Sequence, residues 1–97
     1  MSYRVAESVV AACLDLLNME RSELIDNGRS DRQVMGRVFV AGALRRLTTL
    51  SLPEIAAAMG LKHHGTVADQ CKRFAAMPKS MQDYWAHLVR DVMEQKQ

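Results

Sequence analysis

No apolar run in this sequence approaches the roughly 20 residues needed to cross a bilayer, so no membrane-spanning helix is expected. The chain does not start with a basic stretch followed by an apolar one, as a secretory signal would; a cytoplasmic protein is the expectation. Cysteine is scarce. Cys13 and Cys71 fall in apolar helical stripes, where buried free thiols are expected rather than a disulfide or a metal pair. No segment alternates with the period of two that marks a strand, and there is no internal repeat or low-complexity tract. There is no Gly-x-x-x-x-Gly-Lys loop to hold a nucleotide phosphate. His63 and His64 are adjacent, so on a helix their side chains diverge by about 100 degrees, and no Cys or carboxylate stands near them at ligand spacing. No nucleophile has a partner base. An enzyme, a metal site and a bound cofactor are therefore all unexpected.

What is present is helical periodicity and unevenly placed charge. With 97 residues, 48% of them apolar and 25% charged, the chain reads as one ordinary globular domain spanning 1–97. The net charge of +2 is weak evidence for any partner, but its distribution is informative. Residues 1–28 carry two basic and five acidic side chains, residues 29–79 nine basic and three acidic, and residues 80–97 two basic and three acidic. The middle segment is the electrostatic footprint expected of a phosphate-binding face.

Apolar spacing predicts an all-α protein of about six helices. A first helix over 3–18, capped by Ser2, has Val5, Val9, Cys13, Leu16 and Leu17 as its buried stripe. A short one over 20–26 is anchored by Leu24 and Ile25, and Asn27-Gly28 breaks it. Ser30 and Gln33 form a capping-box pair opening a long helix over 31–48, with Val34, Val38, Ala41, Leu44 and Leu47 inward. Gly42 within it is a poor helix former, which points to close approach of a neighbouring helix. The last helix runs from a Ser80 cap to about 94, with Met81, Tyr84, Trp85, Leu88 and Val92 as its core stripe. That period makes Tyr84 and Trp85 packing residues, and the seven methionines read as core filler.

Between these lies the most informative stretch. Ser51 is a good N-cap, Glu54 completes a capping box, and Pro53 sits in the first turn, where its missing N–H costs little. Ile55 to Met59 is a short apolar helix (52–59), and Gly60 supplies a left-handed terminus. A second helix over 65–76 follows, with Val67, Cys71 and Phe74 inward and Pro78 beyond its end. A short capped helix, a glycine turn and a second helix make a helix-turn-helix.

Leu47-Thr48, Ser51-Leu-Pro-Glu-Ile55, Gly60 and His64-Gly-Thr-Val67 together resemble the C-terminal DNA-binding domain of the bacterial chromosomal replication initiator DnaA. That family reads Leu-Thr, then Ser-Leu-Pro-Glu-Ile, then Gly-Gly-Arg-Asp-His-Thr-Thr-Val. The resemblance runs without gaps from about residue 5 to about residue 75. It implies a Trp-repressor-like fold and double-stranded DNA as partner. The family's ATPase lies on a separate, preceding domain, which has no counterpart in these residues. Lys62, His63, His64, Gly65 and Thr66 would meet base edges in the major groove, with Asp69 and Gln70 one turn on. Arg29 aligns with the arginine that the family places in the minor groove from its basic loop, and Arg32 is counted with the same face. Arg37 would clamp a phosphate and Arg45 support it, while Thr48, Leu52 and Pro53 would lie against the sugar-phosphate backbone.

The reading positions depart from the family more than the scaffold does. The family's Asp is His63 and its first Thr is Gly65, which could itself serve as the N-cap. Lys62 keeps the charge of a family Arg but not its fork, Asp31 stands where a basic residue is usual, and Val38 replaces a Gln. Base contacts of this kind are each worth about 1–3 kcal/mol of discrimination. The function implied is sequence-preferring DNA binding that regulates replication initiation or transcription. Two other readings stand beside it: a non-specific DNA binder, and a protein-interaction module that antagonises the initiator. Replication or transcription proteins are further candidate partners, as is a second copy packed through the first and last helices.

Overall fold

The computed structural model describes residues 3–25, 30–62 and 64–95. The expected Ser2 cap and Asn27-Gly28 break lie outside them. In chain order the helices are α1 (Tyr3–Leu17), α2 (Arg21–Ile25), α3 (Asp31–Leu47), α4 (Leu52–Met59), α5 (His64–Ala75) and α6 (Lys79–Gln95). Among the described residues there is no strand, and the all-α expectation holds.

Local chemistry sets the ends of these helices. α1 stops where Asn18 turns left-handed at φ 54, a conformation Asn tolerates better than most residues, and Met19 N–H donates back to Leu14 at 3.0 Å. Ser30 caps α3 by accepting from Gln33 N–H at 3.3 Å, but Gln33 answers through its amide oxygen, which accepts from the Ser30 hydroxyl at 3.0 Å. α4 has the complete reciprocal box. Ser51 Oγ accepts from Glu54 N–H at 3.3 Å, and Glu54 Oε1 accepts from Ser51 N–H at 2.9 Å. Gly60 at φ 80 ends α4 with Leu61 N–H donating to Ala56 at 2.8 Å, a bond pattern that needs the left-handed residue.

Two expected helix starts are corrected. α5 opens at His64, so Gly65 lies inside its first turn and is not the cap. α6 opens at Lys79, with the Pro78 carbonyl accepting from Met81 and Gln82 N–H, so Ser80 lies within the helix. Proline suits this place because its carbonyl is all the helix start requires of it.

α3 is the central post, in contact with each of the other five helices. Its Gly42 is where α5 crosses: a Cβ there would fall 2.2 Å from the Phe74 ring, so only glycine allows the approach. Gly36 lies under the flexible end of the Met19 side chain. Phe39 stands between Phe74 and Trp85, with ring centroids at 6.1 and 4.9 Å, and the Trp85 indole donates to the Phe39 carbonyl at 3.0 Å. α6 is tied to α5 by Gln82, whose Nε2 donates to the Ala75 and Met77 carbonyls at 3.1 and 2.7 Å. These are carbonyls that a helix end leaves without partners of its own.

Several expected burials differ. In α1 the inward face holds Ala6, Val10 and Leu14 beside Val9 and Cys13, while Val5 is exposed and Leu16 and Leu17 half-buried. The seam is rotated because small Ala6, not Val5, occupies its first position. In α2 Leu24 is fully buried and Ile25 exposed. In α6 Trp85 and Val89 are buried, but Tyr84 is 64% exposed and Met81 46%. Of the described methionines only Met19 and Met59 are core; Met35, Met77 and Met93 are half-buried. Both cysteines are free. Burial pushes the Cys13 thiol up to about 12 and raises that of half-buried Cys71, with the Arg45 charge opposing the latter shift. No helix among the described residues is long and apolar enough to cross a membrane.

Candidate nucleic-acid interface

α4 and α5 present one side of the helix-turn-helix to solvent. α5 is laid on the core by Val67, Gln70 and Phe74, all buried, with Cys71 half-buried beside them. A helical period then puts Gly65, Thr66, Asp69, Lys72 and Arg73 on the opposite side, and each of them is exposed. Lys62 in the turn and Pro53 in the first turn of α4 are exposed as well, and Leu52 is half-buried. Gln70 does not belong to this edge. It is 6% exposed, and its Oε1 has no hydrogen-bond partner among the described residues.

Arg45, at the end of α3, joins the same side of the molecule. With Leu52, Ala68, Cys71, Lys72 and Ala75 it lines a shallow groove of about 300 Å³, apolar along its floor and cationic at Arg45 and Lys72. An apolar floor under two cations suits the sugar-phosphate edge of a nucleic acid, whose sugars are apolar and whose phosphates are not.

Four other cations are used inside the chain. Arg32 forms an ion pair with Glu23 and donates to the Asn18 carbonyl, so it joins the start of α3 to α2 and to the end of α1. Arg37 is half-buried, and its Nε donates to the Leu24 carbonyl at 3.0 Å. Arg46 is paired with Asp83 of α6, and Arg21 with Glu7 of α1 at 2.9 Å. Thr48 is 8% exposed; its Oγ1 donates to the Leu44 carbonyl at 2.5 Å and accepts from Leu50 N–H at 3.3 Å. Its hydroxyl shapes the turn out of α3 and is not available at the surface. The expectations for Arg29, His63 and the His64 side chain lie outside the described residues.

The groove thus brings Arg45 and Leu52 together, Gly65 and Thr66 stand on the exposed stripe of α5, Pro53 and Lys62 are exposed, and Arg32, Arg37 and Thr48 are bonded within the scaffold. Lys72 and Arg73, absent from the expected set, stand on the exposed stripe of α5. Their spacing of three and four residues from Asp69 was the signal that could have placed them there. Among the described residues, no group of three His, Cys, Asp or Glu side chains converges where a metal ion could sit. Compared with known families, residues 6–74 match the family described as the bacterial dnaA protein helix-turn-helix.

Proposed function

The chain belongs to the bacterial DnaA helix-turn-helix family, and from that premise, which implies binding to double-stranded DNA, we propose a sequence-preferring regulator of replication initiation or transcription. The exposed stripe of α5 lies in the major groove, with Thr66 and His64 toward base edges. Arg45, Lys62 and Lys72 neutralise phosphates beside it, and Leu52 and Pro53 rest on the sugar-phosphate backbone. Arg29, from the segment between α2 and α3, reaches the adjacent minor groove. Arg32, Arg37 and Thr48 act at one remove, by holding α2 and the end of α3 in position. The observation that carries this reading is the exposed edge of α5. Its cations have no ion-pair partners among the described residues, whereas Arg21, Arg32 and Arg46 are all paired.

The test is fluorescence anisotropy with two labelled duplexes at one fixed salt concentration, one carrying an initiator box and one scrambled. Preference for the box is the expected result. Arg45→Ala and Lys62→Ala should each weaken binding to both duplexes and make the salt slope shallower by about one. Binding to neither duplex would overturn the reading in favour of a protein partner. One observation favours that second reading: Met81 and Tyr84 stand exposed on α6, beyond the residues that match the family.

A further inference from the structure

Gly65 is a glycine that its own chain does not explain. Gly36 and Gly42 are pressed by Met19 and Phe74, and Gly60 has a positive φ. Gly65 has neither constraint. It lies in the first turn of α5 with ordinary helical backbone, and among the described residues a Cβ built on it would meet nothing within 4 Å. Glycine is a poor helix former, so alanine at this site would suit the folded chain better. What glycine leaves is open space on the outer side of α5.

One turn further on, directly below that space, stands Asp69. It lies opposite the buried face formed by Val67, Gln70 and Phe74, at the middle of the exposed stripe. Lys72 and Arg73 follow at three and four residues, the spacings at which a helical ion pair forms. Yet among the described residues no hydrogen bond or ion pair engages the Asp69 carboxylate. A bare carboxylate at the centre of a phosphate-facing edge weakens binding to every sequence unless something on the DNA donates to it.

We propose that Gly65 and Asp69 form a notch that reads a cytosine, with the exocyclic amino group donating to the Asp69 carboxylate in the space that Gly65 leaves open. This rests on the DNA-binding reading above. The chemistry selects cytosine over adenine, the other base that shows an amino group in the major groove. Adenine N6 is flanked by the N7 acceptor, which repels a second carboxylate oxygen, whereas cytosine N4 is flanked only by a C–H. Thymine presents a carbonyl acceptor at the same place and is rejected.

The experiment selects the preferred site of the full chain from a random duplex library. It then measures anisotropy for wild type, Asp69→Ala, Asp69→Asn and Gly65→Ala on that site, on the site with each cytosine replaced by thymine, and on a scrambled duplex. The wild type should have one cytosine whose replacement costs about tenfold or more in affinity. Asp69→Ala and Asp69→Asn should erase that discrimination while binding the scrambled duplex as tightly as wild type, or more tightly. That gain is the reverse of what losing a structural or cationic residue does. Gly65→Ala should melt no lower than wild type and lose affinity for the selected site. An Asp69→Ala protein that keeps the wild-type preference at every position, or loses affinity equally on all duplexes, overturns the notch and leaves DNA binding intact. A wild type that binds no duplex overturns both.

Discussion

Arg32 and Arg37 near the start of α3 and the cations around α5 carry the same formal charge and make different contacts. Arg32 and Arg37 point back across the chain to carbonyls of Asn18 and Leu24, and Arg32 also pairs with Glu23. Arg45, Lys62, Lys72 and Arg73 have no ion pair among the described residues. At Arg37 a basic residue in a matching position also carries a bond within the chain, which the position alone does not reveal. α2 is only five residues long, too short to persist alone, and needs outside ties to stay in place. Arg32 and Arg37 supply those ties.

This contrast can be broken most directly at Arg37. Arg37→Ala should lower stability by about 1.5–3 kcal/mol, because the Leu24 carbonyl loses a charge-assisted bond at a half-buried site. For a domain of this size that is roughly 4–8 °C of melting temperature per kcal/mol, readable by circular dichroism. An unchanged melting temperature with uniformly weaker DNA binding would return Arg37 to the phosphate-contacting set.

A smaller effect is expected at Thr48. Thr48→Val removes a hydroxyl that donates to Leu44 and accepts from Leu50, and should cost about 1 kcal/mol in chemical denaturation. Binding to DNA should be unaffected; a selective loss of affinity at constant stability would put Thr48 on the interface after all.

The smallest effect is electrostatic. The Ser51 backbone N–H, and after it the Ser51 side chain, hold the Glu54 carboxyl below its ordinary value of 4.5. A carboxyl depressed in the folded state adds stability above that ordinary value and loses it as pH falls through the lowered one. Glu54→Gln should therefore flatten the acid limb of a stability–pH curve while leaving stability near neutrality little changed, since Gln also serves in a capping box. A variant as acid-sensitive as wild type would shift the cause to Glu23, whose carboxyl is lowered chiefly by the Glu20 backbone N–H and further by Arg32.

How much of this was legible in the sequence depended on the range of the interaction. The α4 box and its Gly60 terminus are written within ten residues, and both stand in the structure as read. Gly42 announced a close crossing, although nothing local identified Phe74 as the partner. In α1 Val9 and Cys13 were legible as core, but Ala6 was not, because alanine carries little hydrophobic signal, and Val5 lies exposed. In α6 the stripe began and widened too far toward Met81 and Tyr84, whose apolar character says nothing about whether a neighbouring helix covers them. Arg37 was the least legible. Its carbonyl partner is thirteen residues away and carries no residue identity that a pattern could use.

Trp85 gives the molecule an optical gauge. It is the sole tryptophan, 8% exposed, tilted against the Phe39 ring and hydrogen-bonded to the Phe39 carbonyl at the seam of α3 and α6. Indole emission moves to longer wavelength when water reaches the ring, so its colour reports whether that seam is closed. The exposed stripe of α5 carries no tryptophan and contributes nothing to that signal. The indole, excited at the red edge where tyrosine does not absorb, thus follows the integrity of the scaffold, while a label on the duplex follows occupancy of the reading edge, and the two quantities can be recorded in the same cuvette.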